Sequence, residues 1–151
     1  MKKTLVALLG LMLALAVAVP ATSQDWIDKN TLTTTEKFLA ALPGDFYLID
    51  PAAAQKLMDT AKPLILDVRE KSEFEGGERI AGAVNIPLRE LPKALDRLPD
   101  GRGTPIVVYC AIGHRGAIAM TVLRLWGYTN VRSIRNGLGG WKAAGLPVVT
   151  K

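Results

Sequence analysis

Apolar residues in this chain fall into runs of two kinds. Residues 64–68 (Leu-Ile-Leu-Asp-Val) and 105–109 (Pro-Ile-Val-Val-Tyr) are short, nearly unbroken and bounded by turn-forming residues, Lys62-Pro63 before the first and Asp100-Gly101-Arg102-Gly103 before the second. Such runs predict buried strands. Three further short runs predict strands over 46–49, 83–85 and 131–134. Between the strands the apolar spacing lengthens to three or four, which predicts helices. One starts at Asp50-Pro51, with an acidic cap, proline at the first position, and Ala53, Leu57, Met58 and Ala61 inward. A short one containing Phe74 stops at Gly76-Gly77, and another over 88–98 is broken at Pro92. After Gly116, residues Ala117, Ile118, Met120, Val122, Leu123 and Leu125 predict a helix ending near Gly127. Residues 136–140 predict a flexible turn placed to approach the loop that follows the 105–109 strand, and Trp141 opens a closing helix as a core anchor. Strands alternating with helices imply an α/β fold: a mostly parallel central sheet of about five strands with helices on both faces.

The first residues follow a different logic. Met1-Lys2-Lys3 is a positive start, residues 4–19 are apolar, and Val19-Pro20-Ala21 places a small residue where a signal peptidase cuts. We read residues 1–21 as a secretory signal, 22–42 as an N-terminal helical segment and 43–151 as the folded domain. An uncleaved anchor is the alternative, although a membrane span ordinarily needs about 20 apolar residues. With the signal removed, the protein is exported, periplasmic or extracellular, and touches a membrane only if the signal stays. Within 22–42, Thr33, Thr34 or Thr35 is placed to cap a helix carrying Phe38, Leu39 and Leu42 before Pro43-Gly44.

Composition narrows the function. Net charge falls from +5 to +3 when Lys2 and Lys3 leave with the signal, and the sequence holds no basic cluster with interleaved aromatics. Nucleic acid is therefore not an expected partner. One cysteine and one histidine make neither a disulfide nor a usual zinc site, so no metal or other cofactor is expected. An unpaired thiol in an oxidising compartment asks for a chemical role.

That cysteine, Cys110, stands where the 105–109 strand gives way to the helix after Gly116. Successive loop N–H groups and a helix N-terminus meeting there make an anion cradle that favours a thiolate, helped by Arg115 and His114. In parallel sheets ligands gather beyond the carboxyl ends of the strands. Asp67 and Arg69 end the neighbouring strand and share that edge with Cys110. Asp67 reads as structural, capping N–H groups or pairing with an arginine such as Arg115, because a carboxylate beside a thiolate opposes ionisation. Arg69 reads equally as structural or as added charge for the anion.

Tyr109-Cys110 followed by Gly113 and Arg115 resembles the active-site loop of the rhodanese (sulfurtransferase) family. Leu64-Ile65-Leu66-Asp67-Val68-Arg69-Glu70 with Glu73-Phe74, Ile80-Ala81-Gly82-Ala83-Val84-Asn85-Ile86-Pro87, and the stretch from Gly137-Leu138-Gly139-Gly140-Trp141 to Pro147-Val148 agree with the same family in order. The resemblance implies a rhodanese-like fold over roughly residues 44–149 and a two-step reaction. Cys110 takes a sulfane sulfur from a small sulfur-containing anion such as thiosulfate, and a thiol, cyanide or protein acceptor then removes it. It also implies anion binding by the backbone of Ala111, Ile112, Gly113, His114 and Arg115, with Asp67 and Arg69 in support, in a protein read as a monomer. Arg79 and Ala81 stand beside Ile80 where rhodaneses often carry histidine and proline, a surface change.

Two other chemistries compete. A cysteine phosphatase uses a similar cradle but separates cysteine and arginine by five residues, whereas four separate Cys110 from Arg115. The shorter ring suits sulfur better than a tetrahedral phosphate, and Tyr109 stands where such phosphatases place histidine. A persulfide carrier or redox-sensing module with little turnover is the other reading. It draws support from Ala111, where many thiosulfate-active rhodaneses carry arginine or lysine, since one charge fewer weakens capture of a dianion.

Overall fold

The computed structural model describes residues 27–150. The signal reading of residues 1–21 lies outside the described residues. Five strands, β1 (Leu48–Ile49), β2 (Leu64–Asp67), β3 (Val84–Asn85), β4 (Ile106–Tyr109) and β5 (Val131–Ile134), form one sheet in the order β1-β5-β4-β2-β3. All four pairings are parallel. The helices are α1 (Lys29–Ala40), α2 (Pro51–Ala61), α3 (Lys71–Glu75), α4 (His114–Leu125) and α5 (Gly137–Ala143).

The period-two alternation of the central strand divides the core. Ile106, Val108 and Cys110 point to one face, where Ala119, Met120 and Leu123 of α4 cover them and Phe38 and Leu42 pack behind. Val107 and Tyr109 point to the other, against Ala54 of α2 and Leu138 and Trp141 of α5. Each fully buried aliphatic side chain contributes about 1.5–3 kcal/mol, so the sheet is held from both sides. Trp141 is 1% exposed and its indole N–H donates to the Pro147 carbonyl at 2.8 Å, which makes it the core anchor expected of it.

The structure corrects several local readings. The strand expected over 46–49 keeps only Leu48 and Ile49, because Phe46 and Tyr47 are left-handed (φ 51° and 57°). The Asp45 carboxylate accepts the Tyr47 N–H at 2.9 Å and holds that turn closed. Helix α1 starts earlier than the threonines suggested, with Asp28 as cap accepting the Thr31 N–H at 2.8 Å. Ala54, not Ala53, is the buried alanine of α2, and Ala53 and Ala61 are exposed. Asp50 makes no side-chain cap there; it accepts the Arg135 Nε–H at 2.8 Å. Residues 88–98 form two 3-10 turns, Leu88–Lys93 and Leu95–Arg97, because Pro92 supplies no N–H for a continuous α-helix. The turn expected over 136–140 is the first part of α5, which Gly137 rather than Trp141 begins.

Helix α4 crosses the sheet closely at Gly116, where an added Cβ would lie 2.9 Å from Ser133 Oγ. That hydroxyl is buried without a hydrogen-bond partner among the described residues. Gly116→Ala is expected to cost about 1–3 kcal/mol by overpacking. Ser133→Ala, which removes an unsatisfied group, is expected to be neutral or stabilising. Chemical denaturation of the double variant should show the Gly116→Ala cost reduced by at least half; simple additivity would refute the steric cause.

Candidate active site

Strand β4 ends at Tyr109 and the chain turns through residues 110–113 into α4. The cap of that helix is Gly113 with φ 102°, a conformation other residues adopt only with strain. Three of the loop's carbonyls are bonded away from the sulfur. Cys110 C=O accepts the Leu138 N–H at 2.7 Å, Ala111 C=O accepts the Gly139 N–H at 2.9 Å, and Gly113 C=O accepts the Ala117 N–H at 2.9 Å. The N–H groups are left for the inside. Gly113 N–H donates to Cys110 Sγ at 3.2 Å, while those of Ala111, Ile112, His114 and Arg115 find no acceptor among the described residues. Helix α4 adds its positive end to the same space.

The backbone of α5 fits this closely only because Gly137 is glycine. It has φ 57°, and a Cβ there would run into the Cys110 carbonyl oxygen and lie 3.0 Å from Ala111 C. Cys110 itself is 1% exposed and belongs to the α4-side core. No carboxylate or imidazole hydrogen-bonds to its sulfur among the described residues, so the thiol has no partner base there.

Arg115 turns away from α4 to Glu73 of α3. The fork is bidentate, Nη1 to Oε2 at 2.6 Å and Nη2 to Oε1 at 2.9 Å. These bonds, against an opposing effect of burial and with the Glu70 N–H helping, draw the Glu73 carboxyl down to about 2. Arg115 is held well above the usual arginine range, first by its hydrogen bonds to Glu73 against burial, then by the Glu73 charge and the neighbouring Cys110 sulfur.

Asp67 pairs with Arg69 and not with Arg115. Its carboxylate accepts the Arg69 N–H at 2.9 Å, Nε at 2.9 and 3.0 Å, and Nη2 at 2.6 Å, and Arg69 Nη2 also donates to the Glu78 carbonyl at 3.1 Å. Both residues are buried, and Arg69 spends its charge on its own strand end rather than on the loop. Asn85 locks that end from β3, donating to the Asp67 and Arg69 carbonyls at 3.0 and 2.9 Å. Burial first, and the Asp67 carboxylate second, push the Tyr109 phenol well above its ordinary value; its oxygen accepts the Ile80 N–H at 3.2 Å.

Ile112 and His114 lie at the surface, Ile112 63% exposed. With Gly113 they form one wall of a groove of about 250 Å³ whose other sides include Leu48, Ala117, Ile134 and Arg135. A larger cavity of about 400 Å³ beside β3 contains none of the loop residues. The structure thus brings Cys110 and residues 111–115 into one cradle and sets Asp67 and Arg69 beside it as a support. The approach of residues 136–140 to the loop was legible, whereas Glu73 and Asn85 were not: Glu73 meets Arg115 across 42 positions, and no spacing announces such a pair.

The rhodanese-like domain family matches residues 50–144, well over half of the chain. An uncharacterized protein of Synechocystis is 37% identical over 101 residues, 67% of this chain, and the chain spans 55% of that relative. A protein named sulfurtransferase in Allochromatium vinosum is 33% identical over 96 residues, 64% of this chain and 87% of its own length. Among solved structures, a rhodanese-related protein of Thermoplasma volcanium superposes with a TM-score of 0.61 at 32% identity, covering 69% of this chain and 98% of that one. These likenesses support a sulfurtransferase or persulfide-related role. On sequence and on fold, the chain belongs to the rhodanese-like domain family.

Proposed function

We propose that the protein transfers a sulfane sulfur from a donor to a thiophilic acceptor through a persulfide on Cys110. The observation that carries this reading is the orientation of the loop: carbonyls bonded outward to α5 and α4, N–H groups turned inward around a sulfur that has no base. Attack on a carbonyl would require a proton for the leaving group, and sulfur transfer does not. With thiosulfate, the Cys110 thiolate forms an S–S bond to the sulfane sulfur, the sulfur–sulfur bond of the donor breaks, and sulfite leaves with its electron pair. A thiol, cyanide or protein nucleophile then takes the outer sulfur and restores the thiolate. The inward N–H dipoles are fixed before reaction and stabilise the anionic transition state of both steps. The 1% exposure of Cys110 favours, as a second reading, a carrier that discharges slowly to a protein acceptor.

Arg115 acts mainly by holding the loop, since both its forks go to Glu73. A carboxyl with an ordinary value of 4.5 brought down to about 2 stabilises the fold above pH 4.5, and that contribution fades as pH falls toward about 2. The apolar start of the chain supports a further part of the proposal: residues 1–21 direct export, and the protein works in the periplasm or outside the cell.

Three outcomes follow. Intact-mass analysis after thiosulfate or polysulfide should show one added sulfur on the native protein and none on Cys110→Ser, with cyanide discharging it as thiocyanate. Slow discharge identifies the carrier; absence of any sulfur gain sinks both readings. Glu73→Gln should lower unfolding free energy by about 1 kcal/mol near neutrality, the upper range for a partly exposed pair, with the difference under half of that by about pH 3. A constant difference across denaturation curves at the two pH values would remove the assigned pair. Mass spectrometry of exported protein should find Thr22 at the N-terminus, and an intact Met1 would favour the anchor.

A further inference from the structure

We infer that the cavity of about 400 Å³ beside β3 binds an amino acid in its zwitterionic form, one whose side chain is apolar and of phenylalanine size. The site is separate from the cradle, since none of residues 110–115 lines it, and the inference stands independently of the sulfur-transfer reading.

Two unpaired charges of opposite sign are the first reason. Arg97 and Glu90 both line the cavity, yet among the described residues Arg97 has no carboxylate within ion-pair distance and Glu90 has no cation. The other two charged side chains there, Lys71 and Glu75, already face each other at 3.7 Å. Arg97 is held in place: its Nη2 donates to the Asn85 carbonyl at 3.0 Å, which sets the guanidinium at the open edge of the sheet. Within a strand the N–H and C=O of one residue point to the same side, and those of the next residue to the other. Ile86 N–H donates to the Asp67 carbonyl of β2 at 3.0 Å, so Asn85 N–H opens away from β2, on the side where Arg97 holds its carbonyl. A carboxylate seated there is met by a guanidinium and a backbone N–H together. An ammonium on the same ligand is met by Glu90.

The second reason is the rest of the lining, where Phe74, Val84 and Pro87 offer apolar surface. The Phe74 ring is fixed by Arg79, whose guanidinium stands 4.7 Å from the ring centre and whose Nη1 donates to the Phe74 carbonyl at 3.2 Å. A ligand with one charge leaves either Arg97 or Glu90 unanswered, and a dianion is repelled by Glu75 and Glu90 together. A zwitterion with an apolar body answers both charges and covers the ring. The volume falls within the roughly 300–1,000 Å³ of small-molecule sites.

The test titrates L-phenylalanine into the full chain and follows binding by calorimetry and by amide NMR shifts. Three analogues run beside it: N-acetyl-phenylalanine lacks the ammonium, phenylalanine amide lacks the carboxylate, and glycine lacks the apolar body. L-Phenylalanine is expected to bind with a Kd of about 1 mM or tighter, and each analogue about tenfold more weakly or worse. The largest shifts should fall on the Asn85 and Phe74 amides. Glu90→Gln should abolish discrimination against the N-acetyl analogue, and Arg97→Gln that against the amide. Both side chains are exposed, and the carboxamide placed at position 97 can still donate to the Asn85 carbonyl, so the fold is retained. Absence of binding at about ten times the expected Kd overturns the site. Equal affinity for L-phenylalanine and its two singly charged analogues overturns the ligand class. Shifts centred on residues 111–115 overturn the placement, and discrimination that survives in both variants overturns the roles of Glu90 and Arg97.

Discussion

The structure depends on a contact between two stretches of backbone. The N–H groups of Leu138 and Gly139 seize the carbonyls of Cys110 and Ala111 at 2.7 and 2.9 Å, and in doing so decide which way the peptide planes of the loop face. A peptide plane cannot present its oxygen to one neighbour without presenting its N–H to the opposite side. Binding the carbonyls outward therefore fills the inside of the loop with donors, before any substrate arrives. The requirement passes on to the sequence of α5, where Gly137 and Gly140 leave no room for side chains between that helix and its surroundings. Trp141, buried one turn further on, fixes the helix at the depth at which those bonds close.

Permanent charges are arranged around this cradle and largely cancelled. Glu73 balances Arg115, Asp67 balances Arg69, and Asp50 balances Arg135. A buried pair such as Asp67–Arg69 adds little net stability over apolar packing, yet losing one partner would leave an unpaired charge inside the domain. Its value here is positional. The fork, together with Asn85, ties the end of β2 to the end of β3, next to the point where β4 gives way to Cys110. Directed at the sulfur are the field of aligned N–H groups, which needs no counterion, and the Arg115 guanidinium, whose charge is shared with Glu73.

Much of this was legible in the sequence because the strongest signals are local. Residues 64–67 and 106–109 read as strands from composition alone, since a strand buried on both faces has no polar positions to confuse the pattern. Cys110 read as the nucleophile because its neighbours change from strand to helix spacing around it. The readings that failed were those decided by a few torsions or by a distant partner. Phe46 and Tyr47 carry good strand side chains, but a left-handed turn held by Asp45 takes them out of the sheet. Asp50 has the right identity for a helix cap, and Arg135, 85 positions away, claims its carboxylate instead. Asp67 was expected to pair with an arginine such as Arg115; its partner is the arginine two residues on, whose side chain folds back over its own strand.

The sulfur proposed to react is also a member of the core. Cys110 continues the face made by Ile106 and Val108 and is covered by the same helix. Position 110 consequently meets two separate requirements, one for the nucleophile proposed above and one for a small apolar side chain that fills the space beneath α4. Loss of the chemistry in a descendant would not set the position free to drift, because the packing requirement would still admit only residues such as alanine. A chain that has abandoned the reaction would then keep the shape of the cradle long after its purpose, and the presence of that shape in a distant relative says more about how the domain folds than about what it still does.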